Sequence, residues 1–186
     1  MARQFATIGP EHREFIGRQH IFFAATAAPG ARVNVSPREG SALRVLGGNS
    51  VAYLDQTGSG NETAAHLRAD GRMTLMFCAF QGAPLILRLY GQGEVLPRGT
   101  PAYAALLADA FGGEEPMGAR QIVRLDVDLV QSSCGFGVPM FEHVADRPNL
   151  ARWANAKGPD GLVAYRQEKN TRSIDGLPAW DAEVLL

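Results

Sequence analysis

The stretch Val51–Leu67, VAYLDQTGSGNETAAHL, has the residue types and spacing to hold an anion. An apolar strand runs into a glycine-rich turn, Thr57-Gly58-Ser59-Gly60, and the turn opens a helix at Glu62. Backbone N–H groups converge in such a turn, and the helix N-terminus adds a partial positive charge, a combination that suits a phosphate. Thr57, Ser59, Gly60, Asn61 and Thr63 are the candidate contacts, with the backbone N–H groups of Gly60 to Thr63 as donors. The same residues also match a capping box, in which Ser59 and Glu62 satisfy the helix's own orphan N–H groups. The turn lacks the lysine of a Walker A loop.

A second candidate is Asn34-Val35-Ser36-Pro37-Arg38. Asn34, Ser36 and Arg38 fall at even spacing, so a strand would place them on one face. Arg38 offers a full charge in the bidentate geometry that phosphate accepts; the alternative is a solvated strand end. Arg44 and Arg88 are the next cations to consider. The remaining chemistry-bearing residues are scattered. His66, on the helix after the turn, reads as a packing histidine. Cys134 in SSCGFG has no adjacent base and reads as a buried structural cysteine. Gly58-Ser59-Gly60 is not a nucleophile elbow. No residue is assigned a catalytic role.

The elements that must position these residues are mostly short strands. His20–Ala27 is aromatic-rich and ends at Pro29-Gly30. Arg32–Pro37 alternates, with Val33 and Val35 expected on the buried face of a half-buried strand. Leu43–Leu46 and Val51–Asp55 follow, joined through Gly47-Gly48-Asn49. Met73–Phe80 is apolar at nearly every position, as in a strand covered on both sides. Leu85–Leu96 alternates around Gly91 and Gly93, which point to a bend or bulge. Ile122–Val130 alternates throughout. Helices are expected at Pro10–Arg18, Glu62–Ala69, Pro101–Phe111, Arg147–Lys157 and Asp160–Asn170, with Gly158-Pro159 between the last two, and Ser173–Leu186 as loop and tail. Hairpin-like spacing favours a mainly antiparallel barrel with peripheral helices over a doubly wound sheet.

Composition narrows the function classes. The 186 residues carry a net charge of −1, which gives no basic excess for a nucleic-acid backbone. The two cysteines form no CxxC and keep no histidine cluster, so neither a disulfide framework nor a zinc site is expected. Met1–Gly9 lacks the pattern of a signal peptide, and no stretch is apolar enough for a membrane span. A cytoplasmic protein is the simplest expectation.

The order NVSPRE, a strand ending in YLD, TGSGNETAAHL, RMTLMFCAF and ILRLYGQGEVL resembles the pyridoxamine 5′-phosphate oxidase-like group of FMN-binding split barrels, from about Glu11 to Val130. The resemblance implies an antiparallel split β-barrel, mainly β with peripheral helices (α+β). It implies residues 1–145 as the FMN-binding domain, with 146–186 as a helical extension packed on it. It further implies FMN at the interface of a homodimer, held by the strand Arg32–Arg38 and the following turn, and oxidoreductase chemistry on a small molecule. Arg38 maps to a basic phosphate contact; Ser59, Asn61 and Thr63 map to the turn and first helical residues. Asn61-Glu62-Thr63 stands where the oxidases carry Ser-Arg-Lys. A carboxylate beside a dianion is repulsive, so Glu62 must point away as a cap, pair with Arg38, or weaken FMN. The oxidases' vitamin-recognising ending is not matched in Trp153–Asp181, so pyridoxamine phosphate is not the expected substrate. Trp153 and Trp180 are candidates to cover a flavin, and helix packing explains Trp153 as well. A non-catalytic flavin binder, or a related barrel using F420 or haem, are the alternatives.

Overall fold

The structure is a computed structural model and describes residues 2–180. In chain order it contains β1 (Arg3–Phe5), α1 (Pro10–Gly17), β2 (Ile21–Thr26), β3 (Asn34–Glu39), β4 (Leu43–Val45), β5 (Ser50–Gln56), α2 (Glu62–Ala69), β6 (Arg72–Cys78), β7 (Ile86–Pro97), α3 (Pro101–Phe111), β8 (Ala119–Ser133) and α4 (Asn149–Lys169). The strands form one sheet in the order β3-β2-β6-β7-β8-β5-β4, with β1 added to the far end of β8. Every pairing is antiparallel.

The period-2 alternation of the strands gives the sheet an apolar inner face. Phe22, Ala24, Leu75, Phe77, Leu87, Leu89, Val123 and Leu125 fill the interior. The sheet curls into a split barrel, in which β3 meets β5 through side chains rather than a backbone ladder. Phe22 packs edge-on against Tyr53, and Arg38 reaches Asp55 at 2.7 Å. Curling needs a break in β7. Its register against β8 shifts between Tyr90 and Gly91, where a bend was expected. A Cβ on Gly91 would lie 1.9 Å from the Asp126 carbonyl oxygen, so only glycine lets the strands approach there.

The helices follow their end signals. Thr100 accepts a hydrogen bond from the Tyr103 N–H at the start of α3, Pro101 occupies its first turn, and Gly112 ends it in the left-handed conformation. The two expected C-terminal helices run on as α4, interrupted only at Gly158, whose φ of +66° breaks the helical path. β1 was not anticipated, being three residues long, too short for a periodic signal.

Two strand expectations need correction. Val33 and Val35 do not face the core; they are 71% and 59% exposed. The inner face of β3 is the polar one, because it looks onto the buried side chains of Thr26, Thr63 and Asp55. The strand through Met73–Phe80 is covered on one side only within the protomer: Met73, Leu75 and Phe77 are buried, and Thr74 and Met76 half-buried. Among the described residues no helix is long and apolar enough to cross a membrane, and no group of His, Cys, Asp and Glu is placed to hold a metal.

Candidate cofactor-binding site

A polar seam fills the split between β3 and the β5–α2 turn. On β3, Asn34 Nδ2 donates to Thr26 Oγ1 at 3.1 Å and to Thr63 Oγ1 at 3.2 Å, and the Ser36 hydroxyl donates to Asn34 Oδ1 at 3.1 Å. The Arg38 guanidinium lies over the Tyr53 ring and pairs with Asp55. Its Nε and the Tyr53 hydroxyl are buried without a hydrogen-bond partner of good geometry. The Tyr53 hydroxyl faces both Arg38 and Thr63 in the seam. Burial pushes the Tyr53 phenol up to about 12, so it remains a donor at neutral pH.

Asp55 is the electrostatic centre. It is fully buried, and Arg120 Nε and Gln121 Nε2 both donate to its Oδ2 at 2.7 Å. Burial pushes its carboxyl up, but Arg120, Arg38 and these hydrogen bonds outweigh that, and the group sits below the usual carboxylate range. Asp55 in turn raises the Arg38 pKa. Two guanidiniums face one carboxylate, so the seam keeps a net positive charge.

The turn itself is built from behind. Arg120 Nη1 donates to the Gly60 carbonyl at 2.9 Å, Asn170 Nδ2 to the Gly58 carbonyl at 3.0 Å, and Arg166 Nε to Thr57 Oγ1 at 3.0 Å. Thr57 donates onward to the Gly118 carbonyl. The expected capping box does not form. Asn61, at the N-cap, turns inward to accept from Gln121 Nε2 at 3.0 Å, and no side chain caps α2. Both Glu62 oxygens accept from the Ile174 N–H, at 3.0 and 3.2 Å, so the carboxylate points away and does not pair with Arg38. The first turn of α2 therefore keeps its N–H groups for another acceptor.

β3 leads from this cradle to a groove of about 1240 Å³. At roughly 3.3 Å per residue, Asn34 to Arg38 spans about 13 Å. The groove is walled by Phe15, Pro37, Phe80, Leu85 and Phe141, with His20 and His143 stacked at 3.7 Å on its lip. His143 Nε2 lies 3.0 Å from Asp146.

Asn34, Ser36, Arg38, Thr57, Ser59, Gly60, Asn61 and Thr63 thus lie on β3, the turn or the start of α2. The Thr57, Asn61 and Thr63 side chains are buried, and Ser59 is exposed. Arg88 stands apart. It projects opposite Leu87 and Leu89, on the outer face of β7, and donates to Ser133 Oγ at 3.2 Å. Cys134 is exposed, not buried, because the chain leaves the sheet after Ser133; Cys78 is the buried thiol. His66 is buried and meets Thr26 Oγ1 through Nδ1 at 3.1 Å. Trp153 packs edge-on against Tyr165 within α4. Asp55, Arg120, Gln121, Arg166 and Asn170 were missed. A charged residue bordering an apolar run, as at Asp55 and Arg120, was the one available signal.

The family model described as pyridoxamine 5′-phosphate oxidase matches residues 8–134. The pyridoxamine 5′-phosphate oxidase family protein ustO of Aspergillus flavus is 38% identical over 190 residues, covering 94% of this chain and 76% of that protein. The structure of HupZ from Group A Streptococcus superposes with a TM-score of 0.53 at 20% identity, over 66% of this chain and 91% of the other. A candidate pyridoxamine 5′-phosphate oxidase of Lactobacillus delbrueckii gives 0.52 at 17% identity, over 68% and 94%. These two likenesses speak for the fold, and the family match and the fungal relative for descent: the chain belongs to the pyridoxamine 5′-phosphate oxidase family.

Proposed function

We propose that this protein binds FMN and works as an FMN-dependent oxidoreductase on a small organic molecule. The observation that carries the reading is the uncapped first turn of α2, set beside the buried donors Arg38 Nε and Tyr53 OH, which make no hydrogen bond of good geometry within the protein. Unspent donors and a net positive charge fit a phosphate monoester. Arg38, Tyr53 and the N–H groups of Gly60 to Thr63 would hold it, Asn34 and Ser36 would order the Thr63 wall beside it through hydrogen bonds they already make, and the groove at the end of β3 has room for a flat ring. Bound flavin supplies hydride or electron-pair transfer, and the protein's part is to bind and orient it. Apolar groove walls exclude water from the ring and admit a small substrate. Residues 1–145 form the cofactor domain of this reading, and the described part of the 146–186 extension braces it. Two free thiols agree with a cytoplasmic location.

Denaturing the purified protein is expected to release a molecule of the mass of FMN. Titrated apoprotein is expected to rank FMN above riboflavin and FAD. Release of haem or a deazaflavin, or equal affinity for riboflavin, would overturn the reading. Oxidation of NADH or NADPH by the yellow protein separates the enzyme from a flavin carrier.

A homodimer completes the proposal. On the outer face, half-buried Phe23 lies opposite half-buried Met76, and exposed Val35 opposite half-buried Ala25, giving an apolar surface that the protomer covers only in part. Sedimentation is expected to show a dimer at micromolar concentration; a stable monomer there refutes it.

A further inference from the structure

The segment after α4 touches the cradle and its flanks at four places, all of them from residues outside the stretch 8–134 that matches the family model. Asn170 is fully buried; its Nδ2 holds the Gly58 carbonyl and its Oδ1 accepts from Arg120 Nη1 at 2.9 Å. Its own carbonyl accepts from Asn61 Nδ2 at 3.4 Å and from the Trp180 indole N–H. Four residues on, the Ile174 N–H engages both Glu62 oxygens. Next, the Asp175 carboxylate accepts from the Arg32 backbone N–H at 2.8 Å and ion-pairs with the Arg32 side chain, just ahead of β3. Ala179 and Trp180 then pack on Ala64 and Ala65 of α2.

We propose that residues 170–180 are a clasp that sets the anion cradle, so that docking of this segment and binding of a phosphate monoester at the start of α2 reinforce each other. It rests on the FMN reading above and deepens it. A trans peptide points its C=O and its N–H in opposite directions. Drawing the Gly58 and Gly60 carbonyls onto Asn170 and Arg120 therefore turns the N–H groups of Ser59 and Asn61 the other way. The Ile174 N–H draws the Glu62 carboxylate aside, removing from the start of α2 an anion that would repel a dianion there. The clasp thus does by geometry part of what cations do elsewhere: it exposes donors and withdraws a negative charge. Coupling runs both ways, because a ligand that favours the clasped state must stabilise the clasp.

The test uses the full chain, with FMN, riboflavin and inorganic phosphate as probes. In Asn170→Ala, FMN affinity is expected to fall at least about tenfold, the loss of a hydrogen bond's worth of organisation. Riboflavin affinity is expected to change less than about twofold, because the cradle does not touch its neutral end. Asp175→Ala, a half-buried clasp position that leaves no core cavity and frees the segment from Arg32, is expected to lower the FMN-to-riboflavin ratio in the same direction, and Asp175→Asn to restore part of it. Amide exchange is the second readout: FMN, and more weakly phosphate, should slow exchange at Ile174 in the wild type. If wild-type protein binds FMN but both variants keep its ratio to riboflavin, and Ile174 exchange ignores FMN, the clasp is wrong and the cofactor reading stands. If the wild type takes up neither FMN nor phosphate, the cofactor reading falls and the coupling with it.

Discussion

Asp55→Ala is expected to destabilise the protein by about 3–5 kcal/mol, the usual cost of removing one partner from a buried ion pair. Arg120 is only 2% exposed and its Nε has Asp55 as partner, so the variant leaves a guanidinium in the interior without its countercharge. Gln121 Nε2 keeps Asn61 Oδ1 but loses its bond to Asp55 Oδ2. Arg38 is less affected, being nearer the surface. The sign of the pH dependence follows from the direction of the shift. Asp55 is held below the usual carboxylate range in the fold, while the unfolded chain titrates near about 3.9. Its contribution is therefore fully present above the unfolded value and is lost as pH falls through the folded one. Urea denaturation at pH 7 should show the full difference between wild type and variant. Repeated at successively lower pH, the two stabilities should converge only below about pH 4. A difference under about 1 kcal/mol at pH 7 would mean that water reaches Arg120 and that the seam is solvated as a surface pair is.

How far the sequence carries is clearest in the turn and its surroundings. The boundaries of α2 and α3 are readable because their end signals are local: Gly71 follows α2, and Thr100, Pro101 and Gly112 bracket α3. The Gly91 bulge is readable because glycine at the kink of an alternating strand has few other uses. The face of β3 is not. Alternation shows that Val33 and Val35 differ in orientation from Asn34 and Ser36, but it does not say which set goes inside. Apolar residues face the core by default; here a buried polar seam on the other side of the split reverses that default. The second half of the site was hidden for a different reason. Asn170 meets Gly58 across 112 residues of chain and Arg120 across 50. A single asparagine at the end of an amphipathic helix has the same local pattern whether it is a surface residue or a buried staple. Glu62 is the intermediate example: charge repulsion required it to leave the cradle, yet nothing local identified Ile174 as its destination.

Arg38→Ala is expected to weaken FMN by roughly ten- to a hundredfold, at about 1.5–3 kcal/mol for a charge-assisted hydrogen bond and tenfold per 1.4 kcal/mol. Arg38 is the cation of the seam best placed for the work. Arg120 is enclosed by Asp55, Gly60 and Asn170, whereas Arg38 commits its Nη1 to Asp55 and leaves a buried Nε unpartnered beside Tyr53. It also lines the groove, so it spans the passage from cradle to ring. Removing it should not unfold the protein, since Asp55 retains Arg120 and Gln121. Arg38→Lys should be intermediate, keeping the charge but losing the planar fork that can serve Asp55 and a phosphate at once. Riboflavin lacks the phosphate and should bind both variants nearly as it binds the wild type. The decisive quantity is thus a double ratio, FMN against riboflavin in wild type and in Arg38→Ala, read by fluorescence titration on protein whose folding is checked by circular dichroism. A ratio that drops with riboflavin unchanged assigns the phosphate's charge to Arg38. A ratio that stays fixed assigns Arg38 to Asp55 alone, as a strut across the split, and leaves the N–H groups at the start of α2 to hold the anion without a cation.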